Sequence, residues 1–253
     1  MPRIVDLSHT IKAHPPEVPD LLRVDVDRVD HAQGAREIEQ LFGVPPRLLR
    51  DGEGWTTETI RLGTHSATHV DAPWHYNSTI RGRRAETIDE LPLEWFFGPG
   101  VVVDAREKAD GDAVTRDEME AGIAAAGHDL RPGDIVLVRT GRDAFYEDPG
   151  YMALGPGVTA EATVWLYEQG VRVMGIDAWG WDRPLWMQAQ EAKERDEPGI
   201  FWAAHQADLA YSQIERLANL GAIPPTGFTV ACFPLKIEGA SAGPARVVAI
   251  LGD

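Results

Sequence analysis

Val101-Val102-Val103, Thr115-Arg116-Asp117-Glu118 and Ile135-Val136-Leu137-Val138 are the stretches that decide the fold class of this chain. The two β-branched runs are bounded by Gly, Pro and Asp, the pattern of strands buried on both faces. Between them, Thr115 and Glu118 stand three apart ahead of apolar residues. That capping-box spacing predicts a helix running towards Gly127. Working outward, Thr159 to Gly170 reads as a second helix and Val171 to Ile176 as a strand ending at Asp177. Leu209 to Leu220 reads as a third helix stopped by Gly221, and Gly227 to Phe233 and Arg246 to Leu251 as the last strands. On the amino-terminal side, Thr57 to Leu62 alternates polar and apolar residues, as a half-buried strand does. Strands alternating with helices argue for an α/β fold with at least one parallel crossover. The extra strands at both ends argue for a mixed sheet or a barrel-like core.

The chain has 253 residues, 43% hydrophobic and 25% charged, enough to bury a substantial core in one soluble domain spanning 1–253. No repeat or linker divides it. Lys12 to Arg50, with Pro15, Pro16, Pro19, Pro45 and Pro46, reads as a loop-rich arm over 12–50. Gly98-Pro99-Gly100 and Gly155-Pro156-Gly157 read as turns, without the Lys-Ser/Thr of a phosphate loop. Cys232 is the single cysteine and lies in an apolar run, so it reads as a small buried hydrophobe. The net charge of −16 disfavours nucleic acid and anionic lipid as partners. No apolar run approaches a membrane span, and the start Met1-Pro2-Arg3-Ile4-Val5-Asp6 lacks a signal-peptide pattern, so a cytoplasmic protein is expected.

Chemistry concentrates in Gly63-Thr64-His65-Ser66-Ala67-Thr68-His69-Val70-Asp71-Ala72-Pro73-Trp74-His75. Neutral imidazoles beside a carboxylate suit zinc, manganese or iron(II). Any one of these histidines alone would be an ordinary polar residue; three with an aspartate in eleven residues point to a metal. A fully extended chain would hold His65 and His69 about 13 Å apart, so the backbone must turn between them. Pro73 argues against a regular helix through this stretch, so Val70 to Pro73 reads as extended, with His69 and Asp71 on one face. His75 shares that parity about 13 Å further along, and reads as a proton-transfer group or a ligand of a second ion. A metal-bound water whose pKa is lowered towards 7, beside a proton-moving histidine, is a hydrolytic centre.

The run His65-x-x-Thr68-His69-x-Asp71-x-Pro73-x-His75 resembles the signature of the cyclase-type metal-dependent hydrolases, a family that includes bacterial kynurenine formamidase and isatin hydrolase. Asp6-Leu7-Ser8-His9, Phe233-Pro234-Leu235-Lys236-Ile237 and Pro244-Ala245-Arg246 are similar too. Ala67 stands where the family usually has glycine. The resemblance implies a swivelling β/β/α fold, a homodimer or homotetramer, and hydrolysis of a linear or cyclic amide by metal-bound hydroxide. It implies His65, His69 and Asp71 as ligands and His75 as the acid/base. It also implies one or two zinc or manganese ions, with His205 and Glu215 as the natural downstream ligands. Their separation of ten residues is shorter than the family spacing. The tryptophans and the family's members suggest a small aromatic substrate. Two alternatives remain at this level: a cyclase or dehydratase using the same ion as a Lewis acid, and a protein with a purely structural metal. The second is weak, because closed structural zinc sites lean on cysteine.

Weaker signals have bland readings beside sharper ones. Asp177-Ala178-Trp179-Gly180-Trp181-Asp182-Arg183-Pro184 reads equally as an aromatic substrate wall or as a loop whose tryptophans cover the core. Without the family, His205 and Glu215 would read as solvated positions on a helix. Arg81, Arg83 and Arg84 read as surface ion-pair formers ahead of a fork for a substrate carboxylate. His9, His14, His31 and His128 read as surface or structural residues. Ser8, Ser66 and Ser241 lack the nucleophile-elbow context of a serine hydrolase.

Overall fold

The β-branched runs form the centre of a nine-stranded mixed sheet. A computed structural model of the chain describes residues 2–20 and 22–252. Met1, where the amino-terminal reading begins, lies outside the described residues, as do Leu21 and Asp253. The chain divides into two compact units, Thr10–Ser66 and Met1–His9 with Ala67–Asp253.

The larger unit opens with β1 (Arg3–Asp6). The smaller unit then supplies β2 (Asp25–Val29), α1 (His31–Phe42) and β3 (Thr57–Arg61), with β2 and β3 paired antiparallel. Helix α1 corrects the expectation of loops from Lys12 to Arg50. Asp30 caps it by accepting from the Gln33 N–H at 2.8 Å, and Gly43 ends it in the left-handed region at φ 68°. Gly34 lets the chain pass close to this helix: a Cβ there would lie 1.9 Å from the Trp55 carbonyl oxygen.

The larger unit resumes with β4 (His69–Asp71), the single turn α2 (Pro73–Tyr76) and a small hairpin of β5 (Thr79–Ile80) and β6 (Arg83–Arg84). Next come β7 (Phe97–Asp104), β8 (Ala113–Val114), α3 (Arg116–Ala125) and β9 (Ile135–Arg139). They are followed by β10 (Gly157–Val158), α4 (Ala160–Glu168), β11 (Val173–Ile176) and α5 (Leu185–Arg195). β12 (Ser212–Glu215), β13 (Phe228–Ala231), β14 (Ala242–Pro244) and β15 (Val248–Leu251) complete the unit. The large sheet runs β1-β15-β13-β7-β9-β11-β12-β4-β14. β7, β9, β11 and β12 are parallel neighbours and the flanking pairs are antiparallel. Successive parallel strands are joined through α3, α4 and α5, the expected α/β crossovers. The capping box at Thr115 and Glu118 forms with both reciprocal bonds, and Thr159 caps α4.

The central strands are buried on both faces, which is why the Val101–Val103 part of β7, β9 and β11 are apolar runs. Val101, Val103, Val136, Val138, Met174 and Ile176 join Met119, Ile123 and Leu166 in one core. Val102, Ile135, Leu137 and Val173 point the other way, into a second core with Val70, Ile214 and Phe228. Cys232 is buried in that second core, and burial pushes its thiol pKa up.

Two expectations are corrected. Leu209 to Leu220 is not a helix: residues 212–215 form β12, between β11 and β4. The spacing of Leu209, Leu217 and Leu220 imitates a helical stripe, but Ser212, Gln213 and Ile214 are all fully buried, as a strand covered on both faces requires. Gly98-Pro99-Gly100 is not a turn but part of β7. Close approach explains its glycines, because a Cβ on Gly98 would lie 2.2 Å from the Gly133 carbonyl oxygen and one on Gly100 2.1 Å from the Phe228 ring.

Candidate metal centre

Strand register builds the core of the site. β12 runs antiparallel to β4 with Glu215 opposite His69 and Ile214 opposite Val70. Side chains alternate along a strand, so Val70 and Ile214 enter the apolar core while His69, Asp71 and Glu215 share the other face. His69 Nε2 lies 3.3 Å from Asp71 Oδ1 and 3.6 Å from Glu215 Oε2. The Ala67 carbonyl oxygen, 2.9 Å from His69 Nδ1, fixes that ring and leaves Nε2 facing the carboxylates. Ala67 achieves this in the left-handed region, at φ 51°. That is the position where the sequence motif has alanine for glycine.

The turn α2 places His75. Pro73 occupies its first turn, where the missing N–H is harmless, so Pro73 starts a helical turn. This corrects the expectation of an extended path that carries His75 well beyond Asp71. His75 Nε2 instead stands 3.9 Å from Asp71 Oδ2. His65 lies in a turn at the end of the smaller unit, four residues before His69.

His205 and Glu215 come from a turn and a strand, not from the helix expected for them, and both are buried. His205 Nε2 lies 3.5 Å from Glu215 Oε1 and 3.9 Å from Asp71 Oδ2. Its Nδ1 bonds to Asp182 Oδ2 at 2.6 Å, and Asp182 also accepts the backbone N–H groups of Ala204 and His205. Glu215 Oε1 accepts the Trp181 backbone N–H at 3.1 Å. Burial opposes charge on His205, but the hydrogen bond to Asp182 and the nearby Glu215 carboxylate prevail and raise its pKa to about 10. Burial and Asp71 push Glu215 up, yet His205 and His69 hold its carboxyl below the usual range.

One donor atom each from His69, Asp71 and Glu215 lie within 4.8 Å of one another, so these residues could hold an ion. The separations of 3.3 to 3.9 Å exceed good hydrogen bonds. They match donors sharing one cation, since ligand bonds of about 2.1 Å in tetrahedral geometry set neighbouring donors roughly 3.4 Å apart. Two buried carboxylates at one point also call for compensating positive charge.

The loop from Asp177 to Pro184 supports the site from behind. Trp181 is fully buried and donates from Nε1 to Thr163 Oγ1 at 2.9 Å, so it belongs to the core. Trp179 is half-buried beneath the Arg216 guanidinium, 3.6 Å from its ring centre. Sequence reasoning missed Asp182 as the partner of His205, and nothing local distinguishes it from Asp177. Of the arginine cluster, Arg84 pairs with Glu90, and Arg81 sits in the β5–β6 turn with its backbone N–H on Asp208. His128 pairs with Asp134 at 2.7 Å and His9 stacks on Tyr146, both in structural roles.

The profile of the family described as "Putative cyclase" matches residues 5–183. Kynurenine formamidase from Salinibacter ruber is 32% identical over 192 residues, which cover 75% of this chain and 77% of that protein. Isatin hydrolase from Roseibium aggregatum is 28% identical, covering 79% and 77%. Among solved structures, isatin hydrolase A from Ralstonia solanacearum superposes with a TM-score of 0.76 at 26% identity, covering 99% of this chain and 92% of that one.

Proposed function

Because this chain belongs to the putative cyclase family, we propose that it is a metal-dependent hydrolase of a carbon–nitrogen amide or lactam bond in a small aromatic substrate. The observation that carries the reading is the convergence of His69, Asp71, His205 and Glu215 on one point, with His75 at its edge. In this reading those four residues, joined by His65, are the ligands of one or two divalent ions. Mixed imidazole and carboxylate donors fit zinc and manganese. The relatives' names, formamidase and isatin hydrolase, favour hydrolysis over cyclodehydration.

When bound, the cation supplies Lewis acidity to the scissile carbonyl and acidifies a coordinated water. The protein's own groups do the rest. Asp71 and Glu215 present their oxygens from two paired strands, so their spacing is set by the sheet. Asp182 holds His205 with Nε2 turned inward. His75 takes a proton from the attacking water at its ring nitrogen and returns it to the leaving nitrogen as the carbon–nitrogen bond breaks. The hydroxyl ends on the carbonyl carbon and the proton on the amine.

The same reading makes the enzyme a cytoplasmic homodimer or homotetramer that acts as one functional domain over 1–253. Its partner is a small molecule, with neither nucleic acid nor membrane involved. The net charge supports this, as does the finding that no helix among the described residues is long and apolar enough to cross a membrane. The test is metal analysis of the purified chain, coupled to hydrolysis of N-formyl aryl amines and isatin-type lactams before and after chelation. About one or two equivalents of zinc or manganese per chain are expected, with activity lost on chelation and restored by the ion. A chain that neither carries nor takes up metal overturns the reading.

A further inference from the structure

Trp202 stands against two of the site's histidines in a backbone conformation that a bulky residue does not adopt by default. Its φ is 65°, in the left-handed region, where a large side chain persists only when its surroundings impose it. Gln188 on α5 supplies part of that constraint. It is almost fully buried, and its Oε1 accepts the Trp202 backbone N–H at 2.7 Å while its Nε2 donates to the Arg183 carbonyl oxygen. The loop that carries Trp202 and His205 is thereby tied to the loop that carries Asp182.

The indole is aimed by this backbone. Its plane lies 22° from that of His205 with centroids 4.5 Å apart, a stacked pair. It meets His75 edge to face, at 89° and 4.9 Å. His75 and His205 are themselves 5.8 Å apart at 72°, so the three rings bracket one corner of the site. His205 Nε2 points in its ring plane towards Asp71 and Glu215, and the larger indole runs nearly parallel to that plane. Trp202 remains partly exposed, so the bracket has an aromatic lip beside the point where the donors converge.

We propose that Trp202 is a positioning and specificity-determining residue: its indole fixes the planes of His205 and His75, and its exposed part receives the planar aromatic ring of the substrate. The substrate half of this proposal rests on the hydrolase reading above; the positioning half does not. Stacking on an indole favours aryl over alkyl groups, because only the former presents a face and edge to the ring.

The experiment compares wild type with Trp202→Phe, which keeps an aromatic ring, and with Trp202→Leu, which keeps apolar bulk without one. Two readouts are taken. The first is the dissociation constant for zinc alone, by competition with a chelator of known affinity. We expect Trp202→Leu to weaken binding about tenfold, the usual effect of losing an outer support of a ligand, and Trp202→Phe to restore most of it. Equal zinc affinity in wild type and Trp202→Leu overturns the positioning half. The second is kcat and KM for an N-formyl aryl amine and an N-formyl alkyl amine. In Trp202→Leu the aryl-to-alkyl ratio of kcat/KM should fall roughly tenfold, mainly through KM for the aryl substrate, with recovery in Trp202→Phe. An unchanged ratio overturns the specificity half. A wild type that binds zinc but hydrolyses neither amide sinks the hydrolase reading, and the specificity half with it. Zinc affinity then still decides the positioning half.

Discussion

Asp182 Oδ2 bonds to His205 Nδ1 at 2.6 Å while the opposite nitrogen of that ring turns towards Glu215 and Asp71. A carboxylate behind an imidazole fixes its tautomer and raises its basicity as a ligand. On the proposed ligand set, Asp182→Asn should weaken metal affinity by about ten- to a hundredfold, with little change in the circular dichroism of the fold. Calorimetric titration of the metal-free protein checks this; unaltered affinity would remove Asp182 from the site.

His75 Nε2 lies 3.9 Å from Asp71 Oδ2, close enough for His75 to be a ligand or the acid/base, and the proposed function assigns it the acid/base role. His75→Ala should therefore retain metal while kcat falls by roughly 10²- to 10⁴-fold, the usual range for a lost acid–base group. Metal analysis and turnover measured on the same sample separate the two roles. Metal lost along with activity would make His75 a ligand.

Two carboxylates buried beside each other repel, and a bound cation relieves that repulsion. Chelation should lower the melting temperature. At a metal concentration about a hundredfold above its dissociation constant the linkage is worth about 2.7 kcal/mol, or roughly 5–10 °C for a chain of this size. A scan with and without chelator reads the shift directly, and coincident curves would argue against metal binding.

Ala67 holds a left-handed conformation that costs an alanine about 1 kcal/mol and a glycine little. Ala67→Gly should then raise the melting temperature by roughly 2–4 °C with the Ala67 carbonyl still on His69. A lower melting temperature would show that the extra freedom of glycine in the unfolded chain outweighs the relief of strain.

Burial lifts the Asp177 pKa to about 6, against the pull of bonds from Thr140 and the Gly141 N–H. The folded state therefore holds this proton more tightly than the unfolded chain, so the group adds stability as pH falls from about 6 towards 4. Between pH 7 and pH 5 the wild type should gain roughly 1 kcal/mol relative to Asp177→Asn, as measured by urea denaturation. A constant gap would mean that the hydrogen bonds cancel the effect of burial.

Much of the large sheet was legible because its signals are local. The Thr115–Glu118 box and the Thr159 cap act within one helical turn, and β-branched runs declare strands covered on both faces. Helix α1 carried equally local signals in Asp30 and Gly43, but the prolines on either side of it masked them. β12 was misread because its side chains are buried on both faces, so it lacks the alternation that distinguishes a strand from a helix.

The sequence by itself determined which donors are on offer: three imidazoles and a carboxylate within the eleven residues from His65 to His75, a set that suits a divalent cation. Tertiary structure decided the arrangement of the site. Glu215 meets His69 through the β12–β4 register, Asp182 reaches His205 across 23 residues, and Pro73 starts a turn that brings His75 back to Asp71. The first two do not follow from spacing, because strand pairing and loop docking are set by the burial of residues far apart in the chain. The third is a local turn that Pro73 permits. Val70 and Ile214 had to enter the core together, and the donors beside them were carried to the opposite face.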